Sequence, residues 1–84
     1  MEKSIEALFG SKTRIKLLDL FLNNPEKTFY VREITRLIDE QVNSVRRELK
    51  NLEEIKAVKS ATEDRKLFYG INQRFKYYIP LRVI

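Results

Sequence analysis

Two apolar stripes at helical spacing, separated by only a few residues, constrain this chain more than any other feature. Val31, Ile34, Leu37 and Ile38 recur at the three-and-four spacing of one helix face, and Val42, Val45, Leu49 and Leu52 repeat that spacing shortly afterwards. Asp39, Glu40 and Gln41 lie between them, which leaves room for a turn and nothing longer. The faces left over differ. The second stripe leaves Asn43, Ser44, Arg46, Arg47, Lys50 and Asn51 on the outside, side chains able to hydrogen-bond with base edges and phosphates.

Such a pair, with a polar and basic second helix, has the pattern of a helix-turn-helix whose second helix enters the major groove of DNA. The segments around it follow from local signals. Ile5, Leu8 and Phe9 give Ser4–Phe9 the look of a short helix, which Gly10 stops. Ser11 can cap a further helix over Lys12–Leu22, where Ile15, Leu17, Leu18, Phe21 and Leu22 form a wide core-facing stripe. Asn23, Asn24 and Pro25 end that helix, because the residue before a proline is pushed away from helical angles. Lys27–Tyr30 has the β-branched and aromatic content of a short extended lead-in.

After Leu52 the period changes from helical to alternating. Ala57–Ala61 reads as a strand, Thr62–Arg65 as a polar turn and Lys66–Ile71 as a returning strand with Leu67, Tyr69 and Ile71 on one face. A hairpin directly after a helix-turn-helix is a wing. Residues 72–84 are aromatic and apolar, interrupted by Pro80, and no repeat or low-complexity linker occurs.

Composition narrows the functional classes. At 84 residues, with 43% hydrophobic and 35% charged side chains, the chain is sized for one folded domain, residues 1–84, with 72–84 as a dimerisation segment or a lead into a further domain. No apolar run approaches the roughly 20 residues a membrane span needs, and Glu2 and Glu6 do not suit a secretory signal, so a cytoplasmic address is expected. The sequence contains no cysteine and no histidine. A disulfide framework, a thiolate metal site and the commonest general base are thereby ruled out, and neither enzymatic activity, a metal site nor a cofactor is expected. The net charge of +5 is lopsided: residues 1–40 carry seven basic and seven acidic side chains, residues 41–84 ten basic and five acidic. All of the excess lies from the second motif helix onward, which favours a polyanionic partner.

These residues also carry a resemblance. The runs LFGSKTRIKLLDLF, TFYVREITRLI, SVRRELKNLEE and RKLFYGIN are similar to winged helix-turn-helix transcriptional regulators of the ArsR and MarR kind, across nearly the whole chain. The resemblance implies a mainly α fold, a three-helix core plus a small β-hairpin wing, acting in transcriptional regulation through duplex DNA. Residues 42–52 would be the recognition helix, and residues 57–71 the wing along the phosphate backbone or the minor groove. The chain departs from the pattern where relatives place glycine: Asp39 stands in the turn between the motif helices and Lys56 just after the recognition helix. A lysine held left-handed there would cost on the order of 1–2 kcal/mol. Metal sensing, which uses cysteine, histidine or carboxylate clusters in the ArsR type, does not carry over.

Within that frame Gln41, Asn43, Ser44 and Arg46, near the start of the recognition helix, are expected to read base edges. Arg47, Lys50, Arg65 and Lys66 are expected to hold phosphates, with Arg32 and Lys12 as further phosphate candidates. Taken alone, Arg46 and Arg47 could instead pair with Glu48 or Glu53 on a solvated helix face; the preceding helix turns that reading towards DNA. Glu63 and Asp64, at a hairpin tip, are solvated and unpositioned for catalysis. Phe75, Tyr78, Ile79 and Leu81 are the expected contacts of a homodimer. The rival reading is a winged helix used as a protein-interaction or assembly module of a larger protein, because this fold hosts both roles.

Overall fold

The computed structural model describes residues 11–75; the expected helix over Ser4–Phe9, and Tyr78, Ile79 and Leu81, lie outside them. The described elements run α1 (Lys12–Leu22), β1 (Phe29–Tyr30), α2 (Val31–Ile38), α3 (Val42–Glu54), β2 (Val58–Glu63) and β3 (Lys66–Ile71). Ser11 caps α1 as the sequence suggests, its hydroxyl accepting from the Arg14 amide at 3.0 Å. Leu17, Leu18 and Phe21 carry α1 into a core shared with Ile34 and Ile38 of α2 and with Val45, Leu49 and Leu52 of α3. The sheet closes that core with Phe29, Val58 and Ile71, and the Phe21 and Phe29 rings meet at 6.1 Å.

The helix stripes are narrower than the apolar spacing suggests. Ile15, Leu37 and Val42 remain exposed, at 46%, 56% and 41%. α2 spans eight residues and buries only Ile34 and Ile38, so its inward face is two residues wide and Leu37 lies beside it. Conversely Thr13, polar and outside the apolar stripe, is buried.

The wing differs from the expected hairpin in two ways. Its strands reach further, Glu63 pairing with Lys66, so the turn is the two residues Asp64 and Arg65. Both hold positive φ, 50° and 65°, as a two-residue turn matching strand twist requires. The hairpin is also joined by β1, which pairs antiparallel with β3 to give the order β1-β3-β2. Gly70 allows the lead-in to pass close to β3, since a Cβ there would sit 3.1 Å from Thr28 Cγ2 and 3.2 Å from the Lys27 carbonyl oxygen.

Both glycine substitutes adopt the left-handed backbone, Asp39 at φ 53° and Lys56 at φ 64°. Around Asp39, the amides of Asp39 and Glu40 both return to the Thr35 carbonyl. Around Lys56, the Ala57 amide reaches back to the Leu52 carbonyl at 2.9 Å, and the Lys56 carbonyl accepts from the Asn72 side chain at 2.8 Å. Phe75, expected at a subunit interface, is only 8% exposed and belongs to the core of its own chain.

Candidate nucleic-acid interface

The geometry of α3 divides its side chains cleanly. Val45, Glu48, Leu49 and Leu52 face inward, while Asn43, Arg46, Arg47 and Lys50, at steps of three and four, form one exposed outward stripe. Gln41 is the N-cap and is also exposed, its side chain making no cap hydrogen bond. Ser44 is half-buried at the edge of the stripe. Asn51 leaves the outward set altogether, because it donates to Glu48 at 2.9 Å.

The acids near the motif point the other way. Glu48, 5% exposed, accepts from Arg14 of α1 through Nε at 3.0 Å and Nη2 at 2.7 Å. Burial pushes the Glu48 carboxyl up, but hydrogen bonds from Asn51, Arg14 and Ser11 outweigh it and hold it below the ordinary glutamate value. Glu40, in the turn, accepts from Lys16 at 2.7 Å and from Thr13 at 3.0 Å, and these bonds, Lys16 foremost, also lower its carboxyl. The same Lys16 ammonium donates to the Ile38 carbonyl at the end of α2. Arg46 and Arg47 therefore do not pair with Glu48 or Glu53; Glu53 instead accepts from Ser60 at 2.6 Å.

The remaining expected residues fall in three places. Arg65 occupies the wing turn and is exposed. Lys66 follows that turn at the tip of the wing, its ammonium 5.1 Å from the centre of the Tyr30 ring. Arg32 lines the same concavity as Arg46 and Lys66, and Arg36, which the sequence reading missed, joins them. The signal for Arg36 was present, four residues after Arg32 and so on the same face of α2. Lys12 stands apart from this group, at the start of α1, where its charge is felt by Glu40.

Solved structures share this fold. HlyU from Vibrio cholerae superposes with a TM-score of 0.77 at 17% identity, covering 99% of this chain and 92% of that one. The homodimeric winged helix-turn-helix DNA-binding domain of a possible ArsR-family regulator from Mycobacterium bovis gives 0.74 at 16% identity, covering 94% and 72%. The fold is a winged helix-turn-helix. A crystal structure of an ArsR-family transcriptional regulator superposes at 0.68 with 15% identity, covering 94% of this winged-helix chain and 78% of its own. No protein-family model matches the sequence, and no curated protein matches it. Among the described residues no helix is long and apolar enough to cross a membrane.

Proposed function

We propose that this winged helix-turn-helix binds duplex DNA as a transcriptional regulator of the ArsR-like kind, with α3 in the major groove and the β2–β3 wing along the backbone. The observation that carries the reading is the partition of charge on α3. Of the three acids on α3, Glu48 is turned inward onto Arg14 and Glu53 and Glu54 lie exposed in the last turn, while Asn43, Arg46, Arg47 and Lys50 in the turns before them face solvent with no carboxylate paired to them among the described residues. Gln41, Asn43 and Ser44 stand at the end of α3 that enters deepest, where an asparagine can make a two-pronged contact with adenine. Arg47, Lys50 and Arg65 supply phosphate contacts on either side. No catalytic step belongs to this reading, and a cytoplasmic location accompanies it.

The partner geometry follows from two-fold symmetry. A homodimer would present two copies of α3 about 34 Å apart to a pseudo-palindromic site. The Mycobacterium bovis neighbour is homodimeric. In this chain Phe75 is already used in the core, so Tyr78, Ile79 and Leu81 remain the candidates for the interface. Sedimentation of the full chain at tens of micromolar tests the assembly, a dimer being expected and a monomer overturning it.

Selection of bound duplexes from a random pool at near-physiological salt, followed by affinity measurements across a salt series, tests the function. A recovered consensus and a logarithmic salt slope of roughly −0.9 per phosphate neutralised are expected. Affinity for no duplex above background would leave the role of protein-interaction module.

A further inference from the structure

β1 stops at Tyr30, where the chain turns into α2, so the Lys66–Leu67 end of β3 has no strand on that side. The space this leaves is an open concavity of about 430 Å³ between three elements, walled by Arg32 and Arg36 of α2, Arg46 of α3, Lys66 and Tyr69 of β3, and Tyr30. The Tyr30 ring is held by two contacts: Phe68 meets it edge-on at 5.9 Å, and the Lys66 ammonium lies 5.1 Å from its centre. Burial, helped by the nearby Glu53, pushes the Tyr69 hydroxyl above its ordinary value, and the Arg46 charge on the other side opposes them.

What sets this concavity apart is uncompensated charge. Among the described residues, none of Arg32, Arg36, Arg46 and Lys66 is paired with a carboxylate. Glu40 is taken up by Lys16 and Glu48 by Arg14, while Glu53 accepts from Ser60, keeps its charge near Tyr69 and forms no ion pair with the four cations. Cations brought together from three elements repel one another, and an anion among them relieves that repulsion. The start of α2 adds to the field, since its cap residue Tyr30 offers no side-chain acceptor to the first-turn amides. Guanidinium groups match the oxygens of a phosphate through paired, planar hydrogen bonds. The concavity is roomier than an isolated ion requires and open to solvent, a shape that admits a strand passing through.

We propose that this concavity is a phosphate pocket that grips one backbone phosphate of the bound duplex through Arg32, Arg36 and Arg46, with Lys66 at its rim. The assignment rests on the DNA-binding reading above. It gives Arg36 a direct contact, and it moves Arg46 from the base edges, where its sequence position put it, to the backbone.

The test uses the full chain. Arg36→Ala and Arg46→Ala are measured against the selected duplex and an unrelated duplex across a salt series, with Asn43→Ala as the contrasting base-reading variant. Both arginine variants are expected to weaken both duplexes by a similar factor, on the order of tenfold, and to reduce the salt slope by about one. Their melting temperatures should match the unsubstituted chain, because both side chains are exposed. In parallel, inorganic phosphate titrated at constant ionic strength should move the Nε resonances of Arg32, Arg36 and Arg46. If Arg36→Ala binds every duplex as the unsubstituted chain does, with the same slope, the pocket is overturned while DNA binding stands. If Arg46→Ala loses preference at one base pair only, the move of Arg46 to the backbone is overturned. If the unsubstituted chain binds no duplex and phosphate still moves the three arginines, the DNA source is overturned and a free phosphate ester takes its place.

Discussion

The two sides of α3 handle charge in opposite ways. On the side facing α1, Glu48 is buried and accepts from Arg14 and Asn51, and in the turn just before the helix Glu40 is tied to Lys16 and Thr13. On the side facing out, Arg46, Arg47 and Lys50 are exposed and unpaired among the described residues. The two ion pairs take up one acid and one base each and leave the net charge of +5 unchanged, but they hold Glu40 and Glu48 off the face that presents Arg46, Arg47 and Lys50. The difference teaches that ion pairing here does two jobs at once: it clamps α3 to α1, and it keeps Glu40 and Glu48 away from a face where a carboxylate would repel a polyanion.

If the inner side is a clamp, breaking it should damage stability most. Glu48→Ala leaves the Arg14 guanidinium, 14% exposed, without its partner, and the expected loss is about 3 kcal/mol, the lower end for breaking a buried pair. Denaturant titration measures it. Restoring an apolar contact with Arg14→Met in the same chain should recover part of the loss, and failure to recover any would mean that Glu48 matters for something other than its pair.

Next in size is the outer side. Asn43→Ala should cost about 1–3 kcal/mol of binding to the preferred duplex, flatten preference at one or two positions and leave the melting temperature unchanged. A variant that bound equally but melted lower would place Asn43 with the clamp.

Acid should separate the two sides without mutation. Glu40 and Glu48 have folded-state values lowered below the ordinary 4.5, so they bind protons less readily folded than unfolded. Their contribution is fully present above 4.5 and is lost as pH falls through the lowered values. Denaturation midpoints recorded from neutral pH downward should therefore hold and then fall, and Glu48→Gln should fall less steeply. A midpoint that declines already between pH 7 and 5 would contradict the assignment.

The smallest expected effect lies at the end of α3 where both sides meet the wing. Lys56 holds φ 64°, and Lys56→Gly should stabilise the chain by about 1 kcal/mol, the left-handed penalty less the extra freedom glycine brings to the unfolded chain. Thermal melting checks the sign, and a destabilised variant would show that the lysine side chain contributes packing the backbone argument omits.

Much of the fold was legible because its signals are local. Ser11 capping α1, the polar turn after Ile38 and the switch to alternation beyond Leu52 each depend on neighbours within a few residues, and each stands where the sequence put it. Even the glycine departures at Asp39 and Lys56 foretold the left-handed backbone found there. The outward stripe of α3 was equally readable, since Asn43, Arg46, Arg47 and Lys50 share a face by helical period alone.

Tertiary structure decided what periodicity cannot see. A helical wheel places Glu48 and Asn51 on a face but cannot say that Arg14, 34 residues earlier, will fill the space beside Glu48. It places Leu37 and Val42 on the apolar stripes, yet the packed structure leaves both exposed. Nor does any local rule bring Arg32 and Arg36 of α2 to Arg46 of α3 and Lys66 of the wing, because that meeting depends on where β1 stops along β3. The sequence determined which residues each helix or strand presents, through interactions a turn or two long. Which of those presented charges are cancelled and which are left to face a partner was settled by the packing of elements far apart in the chain.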